Sequence, residues 1–178
     1  MDKGTGGFLQ PEKVLDQLAL RDDMQIADFG CGHGYFSLPL AKKVSQGKVY
    51  ALDVLKEALQ SVRSRAEIEK VSNIETIRVN LEIAGGSKLT DQAIDLVVLA
   101  NILFQSQKKE EILKEARRVL KENGHLVVVD WLAGSLLAPK EGWFISKEEI
   151  NQLAESQGLT LVKELVMDDQ HYGMVFRR

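Results

Sequence analysis

The chain has one cysteine in 178 residues, Cys31. That excludes an internal disulfide and any metal site built on several cysteines, and no metal site is read from the sequence. No apolar run comes near the roughly 20 residues that a membrane span requires. The opening segment MDKGTGGFLQ lacks the apolar centre of a secretory leader, so a cytoplasmic location is the expectation. There is no excess of positive charge. The net charge is −3 and the isoelectric point about 5.7, which argues against nucleic acid, because phosphate backbones attract basic surfaces. The basic pairs Lys108-Lys109 and Arg117-Arg118 alternate with glutamates in a helical pattern and read as a solvated helix face. No repeat, low-complexity tract or linker divides the chain, so residues 1–178 are expected to form one domain.

What is present is an alternation of apolar strands and amphipathic helices, the pattern of an α/β fold with a mostly parallel sheet. Pro11 opens a helix over 11–20. Strands are predicted over 25–29, 48–52, 74–78 and 94–100, the last being the most apolar and therefore central. Helices are predicted over 35–44, 55–70 and 108–120. Asn123-Gly124 supplies a left-handed stop after the last of these. A fifth strand spans 125–130. Ser146 and Glu149 form a capping box for a helix to about 157, ended by Gly158. Two final strands, 159–166 and 172–176, are joined by a short turn and make an antiparallel hairpin.

The informative segment is Ala27-Asp28-Phe29-Gly30-Cys31-Gly32-His33-Gly34-Tyr35-Phe36. Three glycines at alternate positions follow a strand and precede a helix. They permit positive φ and let a ligand approach the main chain, while the helix beyond presents free N–H groups. A dinucleotide fingerprint would be Gly-x-Gly-x-x-Gly, yet Tyr35 stands where its last glycine belongs. Asp28, at the strand end, would also repel a pyrophosphate. It suits a ligand bearing an ammonium group. A tight glycine turn with no ligand is the bland alternative. The second feature is Asp53, which ends the strand Lys48-Val49-Tyr50-Ala51-Leu52, about 20 residues after the loop. An acid there accepts hydrogen bonds from both ribose hydroxyls of a nucleoside; it also suits the N-cap of the next helix.

With these residues in view, the chain resembles the class I S-adenosylmethionine (SAM)-dependent methyltransferases over residues 10–176. Within them it is most similar to the branch of ubiquinone and menaquinone biosynthesis enzymes and many small-molecule methyltransferases. Asp28-Phe-Gly30-Cys-Gly32-His-Gly34 matches the first motif and Asp53 the ribose acid. Ile94-Asp95-Leu96-Val97-Val98 matches the fourth-strand motif. Ala116-Arg117-Arg118-Val119-Leu120-Lys121-Glu122-Asn123-Gly124 matches the helix and turn usually written Arg-Val-Leu-Lys-Pro-Gly-Gly. The resemblance implies a Rossmann-like seven-stranded sheet, order 3-2-1-4-5-7-6, with the last strand antiparallel and helices on both faces. It implies SAM as cofactor and S-adenosylhomocysteine as product. The cofactor-binding set is then Asp28, Gly30, Gly32 and Gly34 for the methionine part, with Asp28 near its ammonium, and Asp53 with Val54 at the ribose. Asn80 and Leu81 border adenine, Ala100 and Asn101 lie by the methionine end, and residues 8–10 fold over the site.

Asn80 departs from the acid many relatives use against the adenine amino group. Phe104-Gln105 stands where close relatives often have a His pair. One cysteine is too few for arsenic methylation, and nothing resembles the Asn-Pro-Pro-Tyr motif of amino-methylating nucleic-acid enzymes. No catalytic residue is assigned. A sulfonium leaves readily, and a base is needed only if the acceptor must lose a proton. His33 reads as a loop residue, His125 as structural and His171 as solvated in the hairpin turn. Trp131, Trp143 and Phe144 are candidates for an acceptor wall. The short loop 131–145 and the single brief helix before the first strand leave an open site, one completed by a second copy, or one that accepts a bulky substrate, so monomer and homodimer both stand. The expected function is methyl transfer to a small molecule. The rivals are an RNA or protein methyltransferase and a SAM-binding regulatory module without catalysis.

Overall fold

The computed structural model describes residues 9–178. Seven strands form one sheet: β1 (Gln25–Phe29), β2 (Lys48–Asp53), β3 (Ile74–Arg78), β4 (Ile94–Ala100), β5 (Leu120–Trp131), β6 (Thr160–Glu164) and β7 (His171–Arg177). Their order is β3-β2-β1-β4-β5-β7-β6. The pairs among β3, β2, β1, β4 and β5 are parallel, and β7 runs antiparallel to both β5 and β6. Among the described residues α1 (Pro11–Leu15) precedes the sheet, and α2 (Ser37–Lys43), α3 (Lys56–Ile68), α4 (Lys109–Val119) and α5 (Lys147–Ser156) connect strands.

Sequence chemistry accounts for the arrangement. β4 is apolar on both faces except at Asp95, and its register against β1 and β5 buries Leu96, Val97, Val98 and Leu99. Strands covered on both faces are built from such continuous runs. Ile112, Leu113, Ala116 and Val119 set the buried face of α4 and pack on one side of the sheet with Phe29, Leu126 and Phe176. Val14, Leu15, Leu40 and Val44 cover the other side. Each such side chain contributes about 1.5–3 kcal/mol on burial. α5 begins with the expected capping box: Glu149 N–H donates to Ser146 Oγ (3.2 Å) and Ser146 N–H to Glu149 Oε2 (2.8 Å). Gly158 follows it at φ 73°.

Several boundaries differ from expectation. α2 starts at Ser37, because the glycine loop runs on through Phe36. α1 ends at Leu15, five residues early. β5 takes over directly from α4 at Leu120, with Asn123 at the left-handed φ of 62° inside its first turn and a shifted register against Ile94 and Leu96. Among the described residues no helix is long and apolar enough to cross a membrane.

Candidate functional site

β1, β2 and β4 all end at one edge of the sheet, and the glycine loop leaves β1 there. The Gly30 and Cys31 N–H groups both donate to Leu52 O, at 2.8 and 2.9 Å, which folds the loop back over β2. Gly30, Gly32 and Gly34 all take positive φ, 73°, 50° and 82°. Their surroundings separate them. A Cβ on Gly30 would lie 2.5 Å from Ile102 Cδ1, and one on Gly34 would lie 3.1 Å from Val62 Cγ2. Gly32 has nothing within 4 Å in that direction. Two glycines therefore serve packing, and the middle one faces open space where a ligand can approach.

Asp53 joins loop and strand. Its Oδ2 accepts the Gly32 N–H at 2.9 Å, and its Oδ1 accepts the Leu55 N–H at 2.9 Å. Each carboxylate oxygen keeps lone-pair capacity for a further donor. Asp53 is not the N-cap of α3, which is Leu55 without a side-chain cap; it ties down the turn before that helix and points at the glycine loop at once. Val54 beside it is exposed. Asp28 is only 2% exposed and accepts from Ser37 Oγ at 2.6 Å. Burial, with the nearby Asp53 charge, pushes its carboxyl up to about 7 despite the Ser37 bond. Among the described residues these two acids have no basic partner, a setting suited to a cation.

At the outer end, Asn80 is exposed with its Oδ1 turned back to the Glu82 N–H (2.9 Å), and Leu81 is buried beside it. Ala100 and Asn101 are half-buried at the end of β4. Asn101 takes a left-handed φ of 54°, and its Oδ1 is buried without a hydrogen-bond partner. The site residues named from sequence thus come together along one edge. Of residues 8–10, Phe8 lies outside the described residues, while Leu9 is buried and its carbonyl accepts from the Tyr35 hydroxyl.

The structure corrects two sequence expectations and adds a buried acid, Asp130. His171 is not solvated: it opens β7, is 2% exposed, and lies against Trp131 with ring centroids 4.0 Å apart. The hairpin turn ends one residue earlier than its polar sequence suggests, because His171 pairs with Trp131 in the sheet. Arg118 is not on a solvated face. It reaches Glu115, Ser87 Oγ and the Leu89 carbonyl, and it also pairs with Asp91. Buried Glu115 accepts the Gly85 and Ser87 N–H groups at 3.1 and 2.9 Å, so this pair holds the loop 80–92 that carries Asn80 and Leu81. An i,i+3 Glu-Arg spacing on α4 was the only sequence signal for it. Asp130 is buried beneath the turn after β4 and accepts from the Trp131 and Phe104 N–H groups; burial pushes it up to about 6 against those bonds.

Trp131 packs on His171, Phe144 stacks on Phe104 at 5.8 Å, and Trp143 is exposed. His125 is half-buried, at the opposite edge. A cavity of about 520 Å³ opens there; of its charged lining, Asp95 and Lys121 are bonded to each other, and Arg21, Glu122 and Lys163 stand at the same edge. Among the described residues no His, Cys, Asp or Glu cluster is arranged to hold a metal ion.

The methyltransferase-domain family matches residues 20–173 of this chain. Ribosomal protein L11 methyltransferase of Bacillus subtilis is 30% identical over 173 residues, covering 93% of this chain and 48% of that protein. The ubiquinone/menaquinone biosynthesis C-methyltransferase of a Ruegeria species is 28% identical over 124 residues, covering 67% of this chain and 47% of that protein. The chain spans about half or less of the length of the curated relatives it matches. A crystal structure of a SAM-dependent methyltransferase from Aquifex aeolicus superposes with a TM-score of 0.85 at 24% identity, over 95% of this chain and 89% of that one, which is a likeness of fold. With the motifs in order and the family match over residues 20–173, the chain belongs to the class I SAM-dependent methyltransferases.

Proposed function

We propose that this chain transfers the methyl group of SAM to a small-molecule acceptor. The observation that carries the cofactor half is Gly32 open to solvent with its N–H held by Asp53. A backbone that admits a ligand and a carboxylate with spare lone pairs stand side by side, as a nucleoside with an extended tail requires. When bound, SAM supplies a methyl group on a sulfonium, which leaves as a neutral sulfide. Asp53 accepts the ribose hydroxyls. Val54 and Leu81 flank the nucleoside, and Asn80 borders adenine. Gly30, Gly32 and Gly34 shape the wall along the methionine part. Asp28 and Asp53 offset positive charge through space. The chain's further task is to hold the acceptor in line with the methyl group, so positioning supplies much of the rate.

The acceptor half is supported by the net charge of −3, which disfavours RNA, and by the aromatic groups Phe104, Trp131 and Phe144 that follow β4 and β5. One observation favours a second reading, a protein acceptor: the relative that matches 93% of the chain is named for methylating ribosomal protein L11. Calorimetry with S-adenosylhomocysteine tests the cofactor, and absence of binding would refute it. Radiolabelled SAM with fractionated acceptor pools tests the rest. Label in the small-molecule fraction is expected. Label in protein favours the second reading, and label in RNA overturns both.

A further inference from the structure

A line of polar groups, Asp168, His171 and Asn101, runs along the same edge. Asp168 lies in the turn before β7. Its Oδ1 accepts the Gln170 and His171 N–H groups at 2.9 and 2.8 Å, and its two oxygens stand 2.9 and 3.1 Å from His171 Nδ1. His171 is 2% exposed and lies against Trp131. Its Nε2 faces Asn101 Nδ2 at 3.4 Å. Asn101 Oδ1 is then the end of the line, buried and without a partner.

The chemistry of the line fixes its polarity. A carboxylate only accepts, so Nδ1 carries the proton. The Asn101 NH2 is placed against the other nitrogen, Nε2, which accepts from it. The amide oxygen must point the other way. Buried amide oxygens without partners are rare and costly, and one beside a ligand site is best understood as waiting for a donor. The location fits. Asn101 directly follows β4, its own N–H donates to Val129 O at 2.8 Å, and the next residue, Ile102, stands against Gly30 of the glycine loop.

We propose that Asp168 and His171 are positioning residues that turn the Asn101 amide so that its oxygen accepts an N–H from the ammonium of the cofactor's methionine part. The inference rests on the SAM reading above. Asp28 is 2% exposed and already takes the Ser37 hydroxyl, so it acts on that ammonium by charge. Asn101 supplies the directed contact. Every turnover brings the ammonium, whatever the acceptor.

The test is calorimetry with two ligands, S-adenosylhomocysteine and 5′-methylthioadenosine, the second lacking the amino-acid part. Asn101→Gly removes the amide, suits the left-handed φ and keeps the backbone bonds of residue 101. His171→Phe keeps a ring against Trp131 and removes the lone pair. We expect Asn101→Gly to weaken S-adenosylhomocysteine about tenfold, the size of one lost hydrogen bond to a charged group, and His171→Phe to weaken it several-fold. Both variants should bind 5′-methylthioadenosine within about twofold of wild type. In the double variant the loss should not exceed that of Asn101→Gly alone, because the two residues act through one contact. Wild-type affinity for both ligands in Asn101→Gly overturns the inference. So does a parallel loss of both ligands, the mark of a general structural role. A wild-type protein that binds neither ligand refutes the cofactor reading itself, a separate outcome.

Discussion

Two acids in this protein are equally hidden and oppositely treated. Glu115, on α4, and Asp28, at the end of β1, are each 2% exposed. Burial raises the pKa of a carboxyl. At Glu115 that effect is outweighed by the Arg118 guanidinium and the bonds from Ser87, and the carboxyl is brought down to about 2. At Asp28 burial prevails, the Asp53 charge adds to it, and the carboxyl rises to about 7. The first acid is neutralised by the protein because its task is to hold the loop 80–92. The second stands at the proposed ligand edge with no basic side chain paired to it among the described residues. A cationic cofactor can provide what the chain withholds there. The difference separates structural charge from functional charge without reference to any relative.

The largest break in this comparison is Glu115→Ala. It strands Arg118 and leaves the Gly85 and Ser87 N–H groups without their acceptor. Removing one partner of a buried pair costs about 3 kcal/mol or more. Urea unfolding at pH 7 should show that loss, and S-adenosylhomocysteine should bind more weakly because Asn80 and Leu81 ride on this loop. The pH sign follows from the depressed folded pKa. The contribution is present above the ordinary value of 4.5 and is lost as pH falls from there through about 2. A variant as stable as wild type at pH 7 would show the clamp to be idle.

Next in size is Asp53→Ala, which removes the acceptor proposed for the ribose and the link to Gly32. A loss of about 2–3 kcal/mol in binding, or roughly a hundredfold in Kd, is expected for S-adenosylhomocysteine. Calorimetry measures it. Affinity equal to wild type would remove Asp53 from the site.

Asp28→Asn sharpens the comparison further. The folded pKa of Asp28 lies above its ordinary value of 3.8, so stability from the protonated acid is full below about pH 4 and is lost as pH rises through 7. The amide cannot ionise. The variant should therefore be more stable than wild type at pH 8, by about 1–2 kcal/mol in urea unfolding, and the gap should close near pH 4. It should also bind S-adenosylhomocysteine less tightly, because a charge facing the cation has gone. A variant destabilised at pH 8 would show that Ser37 stabilises the ionised form more than burial opposes it.

Much of this was legible in the sequence. The apolar run at Ile94–Ala100 marked the central strand, and the glycine spacing with Asp53 marked the cofactor edge. These signals are local: a period, a turn chemistry, an acid at a strand end. The rest depends on contacts between distant residues. Asn101 meets His171 across 70 positions, and Gly85 meets Glu115 across 30. A polar stretch such as Asp168-Asp169-Gln170-His171 reads as solvated until β5 arrives to cover it. The early start of β5 at Leu120 was hidden likewise, because Leu120 continues the helical period of α4 while pairing with Ile94.

Cys31 gives the smallest expected effect and completes the contrast. It sits between two loop glycines at the cofactor edge, where a thiol invites the reading of a nucleophile or redox sensor. A helix N-terminus nearby would lower its pKa. The structure turns it the other way: Cys31 is buried among Ala51, Leu59 and Val62. Burial first, and then the charges of Asp28 and Asp53, push its thiol far above the ordinary range. The two acids that favour a cation therefore disfavour a thiolate, and the displacement from a sulfonium needs none. Cys31→Ala should lose about 1 kcal/mol or less of stability, the packing of one sulfur, and keep most of its affinity for S-adenosylhomocysteine. Cys31→Ser should behave alike in binding. Iodoacetamide at pH 8 should label the folded protein far more slowly than the urea-unfolded chain. Rapid labelling of the folded protein, or methyl transfer lost by orders of magnitude with cofactor binding intact, would make Cys31 part of the chemistry.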